Sequence, residues 1–169
     1  MPQNVWPQAK DKLAGGWKCI KYEIFDGDGP DKKLIRKPHG DNPLGRTILT
    51  PGGFLSAHMA FPDRLKPTKS ASDFQLCSDE EVAYIAKGFS MYCGQVELFK
   101  DPGSAEGEYW WETTVVIATD PNRIGGKQVR KLQYWEENGK QYMELRPQKD
   151  MVYDDGTRAR AVLTWEKFE

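Results

Sequence analysis

The sequence predicts an all-β domain: a closed antiparallel up-and-down β-barrel of about eight strands, with a short N-terminal helix and one capped helix. Three observations predict it. About eight runs alternate apolar and polar side chains, the period-2 pattern of half-buried strands. Most are separated by short turns rich in Gly, Pro and Asn. A single strongly marked helix interrupts them. Eight antiparallel strands joined in order can close on themselves, which removes exposed sheet edges. No internal repeat or linker is visible, so residues 1–169 are expected to form one domain.

Taken in order, Gln8 to Leu13 reads as a short helix stopped by Gly15-Gly16. Trp17 to Phe25 alternates until Asp26-Gly27-Asp28-Gly29-Pro30 breaks it, and residues 31–43 read as a polar loop. Arg46 to Thr50 and Phe54 to Phe61 flank Pro51-Gly52-Gly53, whose glycines can supply the positive φ of a tight hairpin. A long Pro/Lys/Ser stretch from Pro62 to Cys77 leads to the helix. There Ser78-Asp79-Glu80-Glu81 is a capping box, with Ser78 taking the Glu81 amide and Glu81 reaching back. Behind it, Val82, Ile85, Ala86 and Phe89 make one apolar stripe, so this helix is expected to plug or cover one end of the barrel. Strands follow at Tyr92 to Phe99, Glu108 to Thr119, Val129 to Trp135, Gln141 to Arg146 and Arg160 to Lys167. Asn138-Gly139 marks a hairpin between two of them.

Composition removes several classes of function. Twenty-four Lys+Arg against 25 Asp+Glu leave a net charge of −1, with no basic field for a phosphate backbone, so no nucleic acid partner is expected. No apolar run approaches a membrane span, and no membrane partner is expected. Met1 to Pro7 has no charged segment ahead of an apolar run, so no secretory leader is expected there. Cys19, Cys77 and Cys93 match neither a disulfide framework nor a metal spacing, which suits a cytoplasmic setting. With two histidines, His39 and His58, a three-His zinc site cannot form. There is no phosphate loop and no nucleophile elbow, so no metal and no cofactor are expected.

Several stretches together resemble the lipocalin-like domain family. They are Gly16-Trp17 ahead of a Tyr-Glu strand, Asn42-Pro43-Leu44-Gly45-Arg46, and Ile48-Leu49-Thr50-Pro51-Gly52-Gly53-Phe54-Leu55-Ser56-Ala57. Tyr92-Cys93-Gly94-Gln95-Val96-Glu97, Pro121-Asn122 with Gly125, Gln128-Val129-Arg130 and Leu163-Thr164-Trp165-Glu166-Lys167 continue the likeness to residue 168. The chain departs from the family at the Thr50-Pro51-Gly52-Gly53 turn, at Cys93 in place of Ser, and in its own insert from Pro62 to Cys77. The resemblance implies a barrel with a cavity and no shared catalytic set. Fungal barrels of this kind are similar to pericyclases, cyclases and isomerases of natural-product pathways.

Alternation assigns faces. Ala161, Leu163 and Trp165, Leu132 and Tyr134, and Met143 and Leu145 should line the interior, with Ile20, Tyr22 and Ile24 from the first strand. For residues 108–119 two sets remain open: Tyr109, Trp111, Thr113 and Val115, or Trp110, Glu112, Thr114 and Val116. His58, sharing a face with Phe54 and Ser56, is the candidate catalytic acid–base if that face turns inward; otherwise it is solvated. Glu112 is the second catalytic candidate on the same condition. Tyr22, Met59, Tyr92, Trp111, Tyr134, Met143 and Trp165 are the expected substrate-binding residues. His39 sits either at the barrel mouth or on a surface loop. The expected function is binding of a small apolar metabolite with cofactor-independent cyclisation, isomerisation or dehydration. A non-catalytic carrier of a hydrophobic ligand is the alternative. A purely structural domain is weaker, because nothing in the sequence marks a partner surface.

Overall fold

The alternating runs fold into strands, ten in all, in a computed structural model that describes residues 3–169; Met1 and Pro2, the first two residues of the stretch on which the leader expectation rests, lie outside the described residues. The strands are β1 (Gly15–Phe25), β2 (Leu34–Arg36), β3 (Leu44–Leu49), β4 (Phe54–Ala60), β5 (Phe89–Phe99), β6 (Glu108–Ala118), β7 (Lys127–Glu137), β8 (Lys140–Pro147), β9 (Met151–Val152) and β10 (Arg158–Lys167). The helices are α1 (Trp6–Leu13) and α2 (Asp79–Ala86). Antiparallel pairing runs β1-β3-β4-β5-β6-β7-β8-β10, and β10 returns to β1, closing an eight-stranded barrel. The short β2 and β9 add to β1 and β10 outside this ring. Residues 31–43, expected as loop, therefore hold one short strand.

Hairpin chemistry fixes one end of the barrel. Asn138 (φ 52°) and Gly139 (φ 73°) form the primed turn that the Asn-Gly pair demands between β7 and β8. At the β3–β4 turn only Gly53 takes positive φ (82°). The Thr50 hydroxyl and carbonyl accept from the Phe54 and Gly53 amides. The connections 26–43, 61–88, 119–126 and 148–157 all leave from the opposite end, because successive strands run alternately up and down.

The plug is α1, and not α2 as its apolar stripe suggests. Trp6, Ala9 and Leu13 are buried in one cluster with Trp17, Leu49, Leu55, Val96, Leu98, Trp111, Leu132 and Met143. Two indole N–H groups anchor the plug: Trp6 donates to the Pro51 carbonyl at 3.0 Å and Trp17 to the Leu13 carbonyl at 2.9 Å. The second satisfies one of the carbonyls that a helix C-terminus leaves open. By contrast α2 buries no residue. It rests on its own preceding segment, where Arg64 lies over the Tyr84 ring and donates to the Tyr84 carbonyl. Half of the capping box forms: the Ser78 hydroxyl accepts the Glu81 amide. The Glu81 carboxylate instead takes the Lys69 and Ser70 amides and the Ser70 hydroxyl.

Faces alternate as strands require. Paired residues share a face, so Cys19, Trp165 and Met143 form one inward row and Tyr22, Leu163, Leu145 and Leu132 another. A bulge between Cys19 and Lys21 changes the phase of β1. Trp17 and Cys19 therefore face in below it, and Tyr22 and Ile24 above it. This corrects the inward assignment of Ile20, which occupies the bulge itself. Outside, Glu166 of β10 takes Lys18 of β1 at 2.7 Å and Lys140 of β8 at 3.0 Å. The two ammonium groups hold its carboxyl down to about 2.

Leu13 is fully buried against a rigid tryptophan-rich cluster. Leu13→Ala is expected to cost about 2–5 kcal/mol in urea unfolding, with the slope of the transition unchanged. Because Glu166 titrates lower folded than unfolded, its contribution is present above its unfolded pKa and fades as pH falls toward about 2. The stability difference between wild type and Glu166→Gln, read from unfolding midpoints, should therefore be present at pH 7 and vanish in acid.

Candidate functional site

With one end sealed by α1, the inward-facing positions near the other end form the candidate site. Its walls are apolar and only half-buried: Tyr22 (β1), Met59 (β4), Tyr92 (β5), Leu145 (β8) and Leu163 (β10) all pack on the edge of the core. Gly45 of β3 lets the Met59 and Cys19 side chains pack directly on the strand, since a Cβ there would collide with both. Above the walls, the His39 ring packs edge-on to Tyr22 at 5.0 Å and against Phe61 at 4.1 Å. His39 thus sits at the mouth, the first of its two expected places.

Polar groups converge on the same opening from β7 and the loop before it. Gln128 pairs with buried Thr113 and Arg130 with buried Trp111, so both share the inward phase of Leu132 and Tyr134. The Gln128 amide oxygen accepts from Arg123 at 3.2 Å and from Arg130 at 3.4 Å. The Arg123 guanidinium also lies 4.2 Å over the Tyr92 ring, a cation–π contact. On the opposite wall Arg36 of β2 bonds the Tyr153 hydroxyl at 2.9 Å. Burial pushes the Tyr22 phenol up, while the nearby Arg36 and Arg130 guanidiniums pull it back. Burial also lowers His39, with the Ala60 carbonyl opposing it. Burial thus favours the protonated Tyr22 phenol and the uncharged His39 imidazole, beside guanidiniums that stay charged.

The expected site residues separate into three groups. Tyr22, Met59 and Tyr92 come together at the mouth. Trp111, Tyr134 and Met143 belong to the packed lower half, where Trp111 bonds Thr113 at 2.7 Å and Tyr134 donates to Glu136. Trp165 lies one inward position below Leu163, and its buried indole N–H has no acceptor. His58 and Glu112 form the third group, and the inward orientation on which their acid–base role rested is not what the fold provides. His58 is exposed on the outer wall beside Ser56, 2.9 Å from its hydroxyl. The reason is phase: Leu55 and Ala57 take the interior. Glu112 likewise faces out and pairs with Lys127, because Trp111, Thr113 and Val115 fill the core. The open choice for residues 108–119 is thus resolved to the first set.

Sequence reasoning missed Arg123, Gln128 and Arg130. A signal for the last two existed, since counting back by twos from Leu132 reaches both. Cys19, also inside, is held as an inert thiol, its pKa pushed up by burial to about 12. Among the described residues no three His, Cys, Asp or Glu side chains gather as a metal site would need, and no helix is long and apolar enough to cross a membrane.

The sequence profile of the lipocalin-like domain family matches residues 14–168, nearly the whole chain. No curated protein and no solved structure matches it.

His39 gives the mouth a pH dependence of definite sign. Its folded pKa lies below its unfolded one, so the unfolded chain takes up the proton first as pH falls. Stability is expected to decline from about pH 7 toward about pH 5, and His39→Asn should flatten that decline in unfolding midpoints measured across this range.

Proposed function

The chain belongs to the lipocalin-like domain family, and from that premise we propose that it binds a small, largely apolar metabolite in the open end of its barrel. The observation that carries this reading is the contrast between the two halves. Tryptophans and α1 fill the lower half, whereas Tyr22, Met59, Tyr92, Leu145 and Leu163 remain half-exposed around the mouth. Apolar walls with a few convergent polar groups are the usual make-up of a small-molecule site.

The finer reading is that the guest is also transformed, by cofactor-independent cyclisation, isomerisation or dehydration in natural-product biosynthesis. Walls that hold a flexible molecule in one reactive conformer lower a barrier through orientation alone. Tyr22, with its phenol kept protonated, and Arg130 would polarise a carbonyl, and His39 would accept or return a proton. The carrier reading is favoured by one specific observation: His58 and Glu112, the acid–base candidates of the strands, lie on the outer wall. A reducing, cytosolic setting goes with either reading, since Cys19, Cys77 and Cys93 are all free thiols.

The neutral fluorophore N-phenyl-1-naphthylamine tests the binding site. Its fluorescence should rise on addition of the protein. Leu163→Asp, which puts a charge in the apolar wall, should weaken binding about tenfold or more. Ile117→Asp, on the exposed outer wall, should leave it unchanged. The reverse pattern, with binding lost only in Ile117→Asp, would move the site to the outside of the barrel.

A further inference from the structure

The chemistry of the mouth goes beyond an apolar cup. We infer that the guest carries an anionic oxygen head, such as a carboxylate, held by Arg123 and Arg130 across the mouth from Tyr22; this rests on the binding reading above and adds the chemical class of ligand.

Two guanidiniums share one neutral acceptor, the Gln128 amide oxygen. Among the described residues neither has a carboxylate within 4.0 Å; the ion pairs there engage Arg146 and Arg160 instead. The Arg123 Nε–H is buried without any partner. Half-buried like charges repel, and buried charges are ordinarily paired with an opposite charge. One glutamine oxygen cannot neutralise two cations. Nor do the strands supply an anion from within: Glu23, Glu97, Glu112 and Glu144 face outward. Glu136, the one acidic side chain in phase with the interior, stands at the sealed end and takes the Tyr134 hydroxyl.

The remaining donors at the site point to the same class. Tyr22 holds its proton and sits within electrostatic reach of Arg130. Trp165, one layer down, buries an N–H with no acceptor. Donors whose acceptors are only the neutral Gln128 oxygen and, for Arg130, the Val129 carbonyl are complementary to an oxygen-rich anion, and planar guanidinium suits a carboxylate or sulfonate. The apolar body of such a molecule would lie against Met59, Leu145 and Leu163. The ligand class is therefore an amphipathic organic acid, or a molecule that develops an enolate oxygen at that position.

Two fluorophores of one aryl framework test this in the full chain: anionic 1-anilinonaphthalene-8-sulfonate and neutral N-phenyl-1-naphthylamine. In the Arg123→Gln/Arg130→Gln double variant, affinity for the sulfonate should fall by about tenfold or more, while that for the neutral probe stays within about twofold. Arg46→Gln, exposed on the outer wall of β3 opposite His58, should change neither. On wild type, added KCl should weaken only the sulfonate, a result that needs no variant. Should the sulfonate keep its affinity in the double variant, or lose as much in Arg46→Gln, the anionic head is overturned and the apolar cup stands. Should wild type fail to bind the neutral probe, the cup itself is overturned.

Discussion

The closure of one barrel end by α1 is the constraint on which the rest of the molecule depends. A barrel of eight strands has an interior just wide enough for its own side chains, so whether space is left for a guest depends on how far the filling extends. Here Trp6 and Leu13 enter from below and meet Trp17, Trp111 and Met143. The indole bonds to Pro51 and Leu13 then fix the plug against the first hairpin and its own last turn. Once that end is filled, the register of every strand follows, because a one-residue slip would exchange the core face for the wet one. At the opposite end Tyr22, Met59, Tyr92, Leu145 and Leu163 face inward and stay half-exposed.

This separation also orders charge. Outer-wall carboxylates are matched to cations across neighbouring strands, Glu112 with Lys127 and Glu166 with Lys18 and Lys140, and Asp28 of the 26–43 connection is matched to Arg146 and Arg160. Pairs of this kind contribute little stability singly, yet they leave no spare anion to face inward. Arg123 and Arg130 therefore meet Tyr92 and Gln128 and no acid, in a chain whose net charge is only −1. A balanced total conceals a local excess at the mouth.

Much of the barrel was legible in the sequence because strands announce themselves by alternation and turns by glycine and asparagine. The Asn138-Gly139 hairpin and the inward rows of β7, β8 and β10 follow directly from those signals. What failed was information that local pattern does not contain. Ser78 caps α2 as its sequence requires, but a cap says nothing of what a helix packs on, and α2 meets the preceding segment through Arg64 on Tyr84 and buries no residue. The bulge at Ile20 inserts one residue and so reverses a phase that alternation extends unbroken. For β4 and β6, both faces are rich enough in apolar groups that His58 and Glu112 could be given either side. Arg130 was passed over for the opposite reason: a charged residue on a strand is read as outward by habit, although its phase with Leu132 says inward.

Four connections gather at the mouth while three turns and α1 hold the other end, which divides the chain into two sectors under different structural constraints. Changes in residues 26–43, 61–88, 119–126 or 148–157 alter what borders the opening without touching the tryptophan cluster that carries the packing. Rim substitutions and insertions can therefore reshape the opening at little risk to folding. The same division makes the scaffold suited to laboratory diversification, in the way loops borne on a rigid framework serve antibodies.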